Sequence, residues 1–226
     1  MVKYNGEFKL IDTEEKAYFL GLMYSDGNIW KSDPAQGSYC SKLKFMKDDE
    51  SLIEKLVDIF PFFRLFEEHQ YYTYKGVTQK KYYTGMRIYC KELLEDFESL
   101  GLLVAKSTYN KDNLRMPKIP DILIPHFIRG LADGDGSYSW CITDGKKYMN
   151  VVIIDTSKPF MKELCKWFND NGLKCKIGFD KSYYRVRFRK HSDIMLYKSL
   201  IIDNATIYMP RKYNKLINYS GPINAT

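Results

Sequence analysis

The stretch FIRGLADGDG, residues 127–136, places two aspartates and three glycines at the end of an apolar run, where a helix should be stopping. A related stretch lies upstream: FLGLMYSDG (19–27) and IRGLADGDG (128–136) share an apolar start, Gly at the third place, Leu at the fourth and Asp-Gly at the end. The offset is constant, because 130 minus 21 and 135 minus 26 both give 109, about half of the 226 residues. Self-similarity at a fixed offset marks a chain built of two like units, and so decides the architecture.

The segments downstream of the two copies match as well. SYCSKLKFM (38–46) alternates, with Tyr39, Leu43 and Phe45 on one face and Lys42 and Lys44 on the other, the pattern of a half-buried strand. DESLIEKLVDIF (49–60) sets Leu52, Ile53, Leu56, Val57 and Phe60 at helical spacing. KKYYTGMRIYC (80–90) alternates again, and KELLEDFESLG (91–101) reads as a helix stopped by Gly101. In the second copy YMNVVIID (148–155) is a strand and KPFMKELCKWFNDNG (158–172) a helix opened by Pro159 and closed by Gly172. LKCKIGFD (173–180) and YYRVRFRK (183–190) then form a hairpin. The pattern predicts an α+β protein of two pseudo-symmetric αββαββα halves, residues 1–100 and 121–203, with a basic, Pro-terminated linker over 101–120. That linker is either a plain connector or a phosphate-contacting segment. The basic tail over 204–226, with Arg211, Lys212 and Lys215, either clamps a phosphate backbone or is solvated.

Composition narrows the class. With 45% apolar and 28% charged residues the chain is a globular protein with a core rather than a disordered tail. Five scattered cysteines without a CxxC pair argue against a disulfide framework or a zinc knuckle, and three separated histidines (His69, His126, His191) against a histidine-based metal site. No apolar stretch approaches membrane-spanning length and MVKYNGEFKL lacks the apolar core of a signal peptide, so the expectation is an intracellular protein with no membrane partner. The net charge of +7 is compatible with a nucleic-acid partner but does not require one.

DTEEKAYFLGLMYSDG (12–27) reads as a helix capped by Asp12 with Glu15 three residues on, and ended by Gly27. Gly21 and Ser25 are four apart, as are Gly130 and Gly134, so each pair lies on one helix face. Glycine costs about 1 kcal/mol relative to alanine inside a helix, so small residues repeated at this spacing predict two helices approaching backbone to backbone. Such packing brings Asp26 and Asp135 together, each one residue beyond its small pair. Two neighbouring carboxylates repel unless a cation lies between them, and a divalent ion with oxygen ligands is the usual solution. The carbonyls of Ser25 and Gly134, freed at the helix ends, can complete the coordination. Asp133 is read as a local structural acid, because its counterpart is Tyr24. An EF-hand over DGDGSY fails, since the turn glycine would fall at Tyr138 and the bidentate Glu at Asp144.

On these residues the chain resembles the LAGLIDADG homing endonucleases in their single-chain, two-motif form, with Phe19–Gly27 and Ile128–Gly136 matching the nine-residue motif. The first motif departs from the pattern at Leu20 and Tyr24, where a small residue and an acid are usual. The resemblance implies two motif helices packed at a pseudo-twofold axis, antiparallel sheets forming a DNA-binding saddle, and a monomer. It implies a double-strand break with short 3′ overhangs, dependent on Mg2+ with Mn2+ as a substitute, in which Asp26 and Asp135 each serve one scissile phosphate. It also implies a lysine near each carboxylate. Lys91 and Lys190, each ending a strand directly before the last helix of its half, are the candidates, at spacings of 65 and 55 from the acids. Lys47 and Asp155, ending the second strand of each half, are candidate accessory groups. An intein is excluded by the absence of an N-terminal Cys or Ser and of a closing His-Asn pair.

The basic faces follow from alternation. Arg185, Arg187 and Arg189 share one strand face while Tyr184, Val186 and Phe188 share the other. Lys42 with Lys44, Lys174 with Lys176, and Lys81 with Arg87 repeat the arrangement. Strands in a major groove read bases with such side chains while other cations hold phosphates. The two halves differ at nearly every such position, which predicts an asymmetric site. An intron-RNA maturase and a catalytically inert DNA-binding protein are the competing readings on the same fold.

Overall fold

The computed structural model describes residues 2–31, 38–107 and 110–224. The first half runs α1 (Glu14–Ser25), β1 (Asn28–Lys31), β2 (Tyr39–Met46), α2 (Glu50–Ile59), β3 (Arg64–Tyr74), β4 (Val77–Ile88) and α3 (Lys91–Ser99). The second runs α4 (Ile124–Asp135), β5 (Gly136–Thr143), β6 (Lys146–Asp155), α5 (Lys158–Asp170), β7 (Ile177–Asp180), β8 (Tyr183–Phe188) and α6 (His191–Ile201). The αββαββα order is therefore present twice. After it come α7 (Pro210–Leu216) and β9 (Ile223–Asn224).

Each half builds one antiparallel sheet with the same winding, β1-β2-β4-β3 and β5-β6-β8-β7, with β9 added against β6. Register decides what each face carries, because residues directly opposite in an antiparallel pair point the same way. Lys42 faces Arg87 and Lys44 faces Gly85, while the intervening Leu43 faces Met86, both fully buried under the helices. In the second sheet Val152 faces Arg187 and Ile154 faces Arg185, while Val151 and Ile153 face the buried Phe188 and Val186. Each sheet thus packs its helices on one face and turns its basic residues outward.

Three local expectations are corrected. Thr13 rather than Asp12 caps α1, its Oγ1 accepting from Lys16 N at 3.3 Å, while Asp12 pairs with Lys16 Nζ at 2.7 Å. The hydroxyl one residue closer to the first turn takes the cap and leaves the acid for an ion pair. Lys174 and Lys176 precede β7, which begins at Ile177, although Leu173 and Cys175, which alternate with them, are buried as the pattern requires. The segment after α6 is not a solvated tail: Ile207, Met209, Leu216 and Tyr219 are in the core, and Tyr208 stacks on Tyr213 at 3.8 Å.

The seam of the molecule is the contact between α1 and α4. Residues Ala17 to Tyr24 are all buried, so α1 has no solvent face. An alanine β-carbon at Gly21 would fall 2.1 Å from the Phe127 carbonyl oxygen, and one at Gly130 would fall 2.0 Å from that of Tyr18. The helices touch through bare backbone at both points. At the opposite end from the aspartates, the buried Arg129 donates to Glu14 of α1 and to the carbonyls of Ile201 and Ile207, which ties the start of α1 to the segment after α6. Gly21→Ala and Gly130→Ala are each expected to destabilise the fold by ~1–3 kcal/mol or more, since the clash is with backbone and cannot relax by rotamer change. Denaturant unfolding checks this, and a change within ~0.5 kcal/mol for both would contradict the seam.

Candidate active site

Both motif helices end in acid, which opposes the helix dipole. The structure answers this with two lysines, Lys212 buried and Lys106 half-buried. Lys106 Nζ donates to the Ser25 and Gly27 carbonyls at 2.6 and 2.7 Å. Lys212 Nζ donates to the carbonyls of Ala132, Gly134 and Gly136 at 2.9, 2.9 and 2.7 Å. Each lysine caps the C-terminus of its own motif helix and satisfies carbonyls that the helix leaves open. Each arrives from the segment after the last helix of its half.

Asp26 and Asp135 meet between these caps. A β-carbon at Gly134 would lie 2.9 Å from Asp26 Oδ2, so the Asp26 carboxylate rests against the backbone one residue before Asp135. Burial raises the Asp26 carboxyl, opposed by the charges of Lys212, Lys106 and Arg211. Burial and then the charge of Asp26 push Asp135 up to about 6. Burial pushes Lys106 and Lys212 down to about 8 against the attraction of the surrounding aspartates. Asp155 joins on the side of Asp135: burial raises it too, and it lines a cavity of about 290 Å3 together with Asp135, Lys106 and Ser25.

At the sixth motif position Tyr24 and Asp133 replace one another, and each makes its own clasp. Tyr24 donates its hydroxyl to the Leu100 carbonyl at 3.0 Å, and Asp133 accepts from Met209 N at 2.8 Å. Tyr24 thus ties α1 to the end of α3 as a donor, and Asp133 ties α4 to the start of α7 as an acceptor. Asp133 also accepts from Tyr18 of α1 at 2.8 Å, which makes it a structural acid.

The structure places the other sequence candidates unevenly. The Ser25 hydroxyl donates back to Gly21 and Leu22, leaving its carbonyl and that of Gly134 at the site, where both are lysine acceptors. Lys91 is exposed and pairs with Glu95 at 3.3 Å, and Lys190 is an exposed residue at the start of α6. Neither is among the charges that act most on Asp26 or Asp135. Lys47 is likewise held outside by Glu67 at 2.9 Å. On the outward sheet faces, Glu68 holds both Lys42 and Lys44, while Lys81 lies over Tyr72 and Arg87 over Phe66. Arg185 pairs with Asp180 at 3.0 Å, Arg189 reaches Asn150 at 3.3 Å, and the buried Nε of Arg187 has no hydrogen-bond partner among the described residues. Among the described residues no helix is long and apolar enough to cross a membrane.

Lys106 and Lys212 are the groups that sequence reasoning missed. A signal existed: 106 minus 26 is 80 and 212 minus 135 is 77, a closer match than 65 and 55. Both also come after the last helix of their half. In protein stripped of metal, the raised Asp135 favours its neutral form on folding, so its contribution to stability is full below pH 3.8 and is lost as pH rises through about 6. Asp135→Asn removes that loss, and its stability relative to the parent should climb by ~1–3 kcal/mol between about pH 4 and 7 in EDTA. A flat difference across that range would contradict the assignment.

No sequence-family model matches the chain, and comparison with curated proteins finds no relative. Solved structures do match. The LAGLIDADG meganuclease I-AabMI bound to uncleaved DNA aligns with a TM-score of 0.62 at 15% identity over 88% of this chain and 87% of that one. The homing endonuclease I-WcaI bound to its DNA recognition sequence gives 0.60 at 15% over 92% and 90%. I-DmoI in complex with DNA and Mn gives 0.51 at 16% over 85% and 98%. Two αββαββα halves closed on paired motif helices, with their outward sheet faces basic, make this the LAGLIDADG homing-endonuclease fold.

Proposed function

We propose that the protein is a monomeric, site-specific DNA endonuclease that cuts both strands of a long asymmetric site by metal-dependent hydrolysis, leaving short 3′ overhangs. The observation that carries this is the meeting of Asp26 and Asp135 at the seam between two sheets that each turn arginines and lysines outward. The neighbouring structures support it, since they are endonucleases bound to DNA, one with manganese and one with calcium.

The donor set suits a hard divalent ion. It consists of two adjacent carboxylates, of which one resists ionisation while no cation neutralises it, and two helix-end carbonyls, all oxygen. Among the described residues no cluster of three or more His, Cys, Asp and Glu forms a closed cage, so the remaining positions fall to water and phosphate oxygens. Asp26, Asp135 and the Ser25 and Gly134 carbonyls would hold Mg2+, or Mn2+ in its place, each carbonyl keeping a second lone pair beside its lysine. The bound ion supplies Lewis-acid polarisation of the phosphate and a more acidic water. The chain's own groups do the rest. Lys106 and Lys212 hold positive charge beside each carboxylate and fix the helix ends from which the carboxylates project. Asp155, facing Lys106 across the cavity, orients water on the Asp135 side. The outward cations Lys42, Lys44, Lys81, Arg87, Arg185, Arg187 and Arg189, with Lys174 and Lys176 at the edge, hold the duplex so that its phosphates reach the seam.

Asp26→Asn and Asp135→Asn are each expected to reduce double-strand cleavage by at least ~10³-fold while DNA affinity in EDTA stays within a few fold. Full cleavage by both variants would overturn the reading. Arg187→Met is expected to weaken binding by ~1–3 kcal/mol and to relax preference at one base position. A uniform loss across all sequences in a binding-selection experiment would reassign Arg187 to the phosphate backbone.

A further inference from the structure

The two carboxylates share a seam but have different surroundings. Asp135 faces Asp155, Lys106 and the 290 Å3 cavity. Asp26 lies in the field of Lys212, Arg211 and Asp49, in addition to Lys106. The two capping lysines also differ in what they have left to donate. An ammonium carries three N–H groups. Lys212 uses all three on the carbonyls of Ala132, Gly134 and Gly136, whereas among the described residues Lys106 uses two, on Ser25 and Gly27. Lys106 therefore keeps a donor for a phosphate oxygen, and Lys212 acts only as charge.

Beside Lys212 in the chain stands Arg211. Its Nε bonds both oxygens of Asp49, at 2.8 and 3.0 Å. The Asp49 side chain is 3% exposed and that of Arg211 51%. A buried carboxylate is costly to keep charged, and here it fixes, through Nε, a half-exposed guanidinium whose charge reaches Asp26. The first half has no such residue, since Ala105 precedes Lys106.

We propose that Arg211 meets the transition-state charge on the phosphate served by Asp26, the part that Lys106 plays on the phosphate served by Asp135; this rests on the endonuclease reading above. In hydrolysis the water oxygen bonds to phosphorus, one ester P–O bond breaks, and the leaving oxygen takes up a proton in place of the one the water loses. Arg211 forms no bond to phosphorus. It donates hydrogen bonds to the non-bridging oxygens as their charge grows, which a planar guanidinium does in pairs. The two strands are consequently cut by different cations, and loss of one should leave the other strand's chemistry running.

The test uses the full-length protein and a cleavable duplex carrying a different fluorophore on each strand. Arg211→Gln should slow cleavage of one fixed strand by ~10²-fold and leave the other within about threefold, so that nicked duplex accumulates. Arg211→Lys should recover part of the rate on that same strand, because it restores charge without the fork. Asp49→Asn, which leaves Arg211 in place but loosens it, should slow the same strand by a smaller factor, and it reports on the proposal even where Arg211→Gln folds poorly. DNA affinity in EDTA establishes that each variant is folded. Equal slowing of both strands in folded variants, or no slowing of either, overturns the proposal. No cleavage by the unsubstituted protein would instead be the failure of the endonuclease reading itself.

Discussion

The backbone contact of α1 and α4 at Gly21 and Gly130 sets the position of the groups that matter most. Helices that carry side chains at their crossing stand about 8–10 Å apart. Here carbonyl oxygens occupy the space that a β-carbon would need, so the two helix ends converge and carry Asp26 and Asp135 with them. The arrangement has two electrostatic costs, acid at a helix C-terminus and acid beside acid, and both are met at the same place. The lysine caps offset the first. The second stays partly open: burial and then the charge of Asp26 raise Asp135, which is the ground for the cation site proposed above.

The seam also explains why the linker and the C-terminal segment cannot be ornaments. Lys106 comes from the stretch between the halves and Lys212 from the stretch after them, so each motif helix is completed by the chain beyond its own half. Leu102 and Leu114 on one side, and Met209 and Leu216 on the other, are buried and hold those stretches in place. Tyr24 and Asp133 then tie their helices to Leu100 and Met209 by opposite hydrogen-bond chemistry. The duplication survives in geometry where it has been lost in residue type.

The sequence made the fold legible because its signals were local and repeated. Alternation in SYCSKLKFM and YYRVRFRK, helical spacing in DESLIEKLVDIF, and glycine pairs in both motifs each describe a surface that a neighbouring element must cover. The seam glycines and the two aspartates were legible for the same reason. The partner lysines were not, because a lysine that folds back onto a helix end from a loop leaves no periodicity. Lys91 and Lys190 satisfied the requirement for a cation at a strand end, but a strand end can face solvent, and there Lys91 found Glu95. Likewise nothing in the sequence marks Asp49 as the partner of Arg211, 162 residues away.

The central claim is that the paired acids form a hydrolytic centre for double-stranded DNA. It is tested most directly by incubating the purified protein with a complex DNA library, with magnesium and with EDTA, and sequencing the ends produced. Magnesium-dependent ends with one constant short 3′ overhang at one recurrent asymmetric sequence are the predicted result. Ends that are absent with both magnesium and manganese, on a library that includes the chain's own genomic locus, would contradict it.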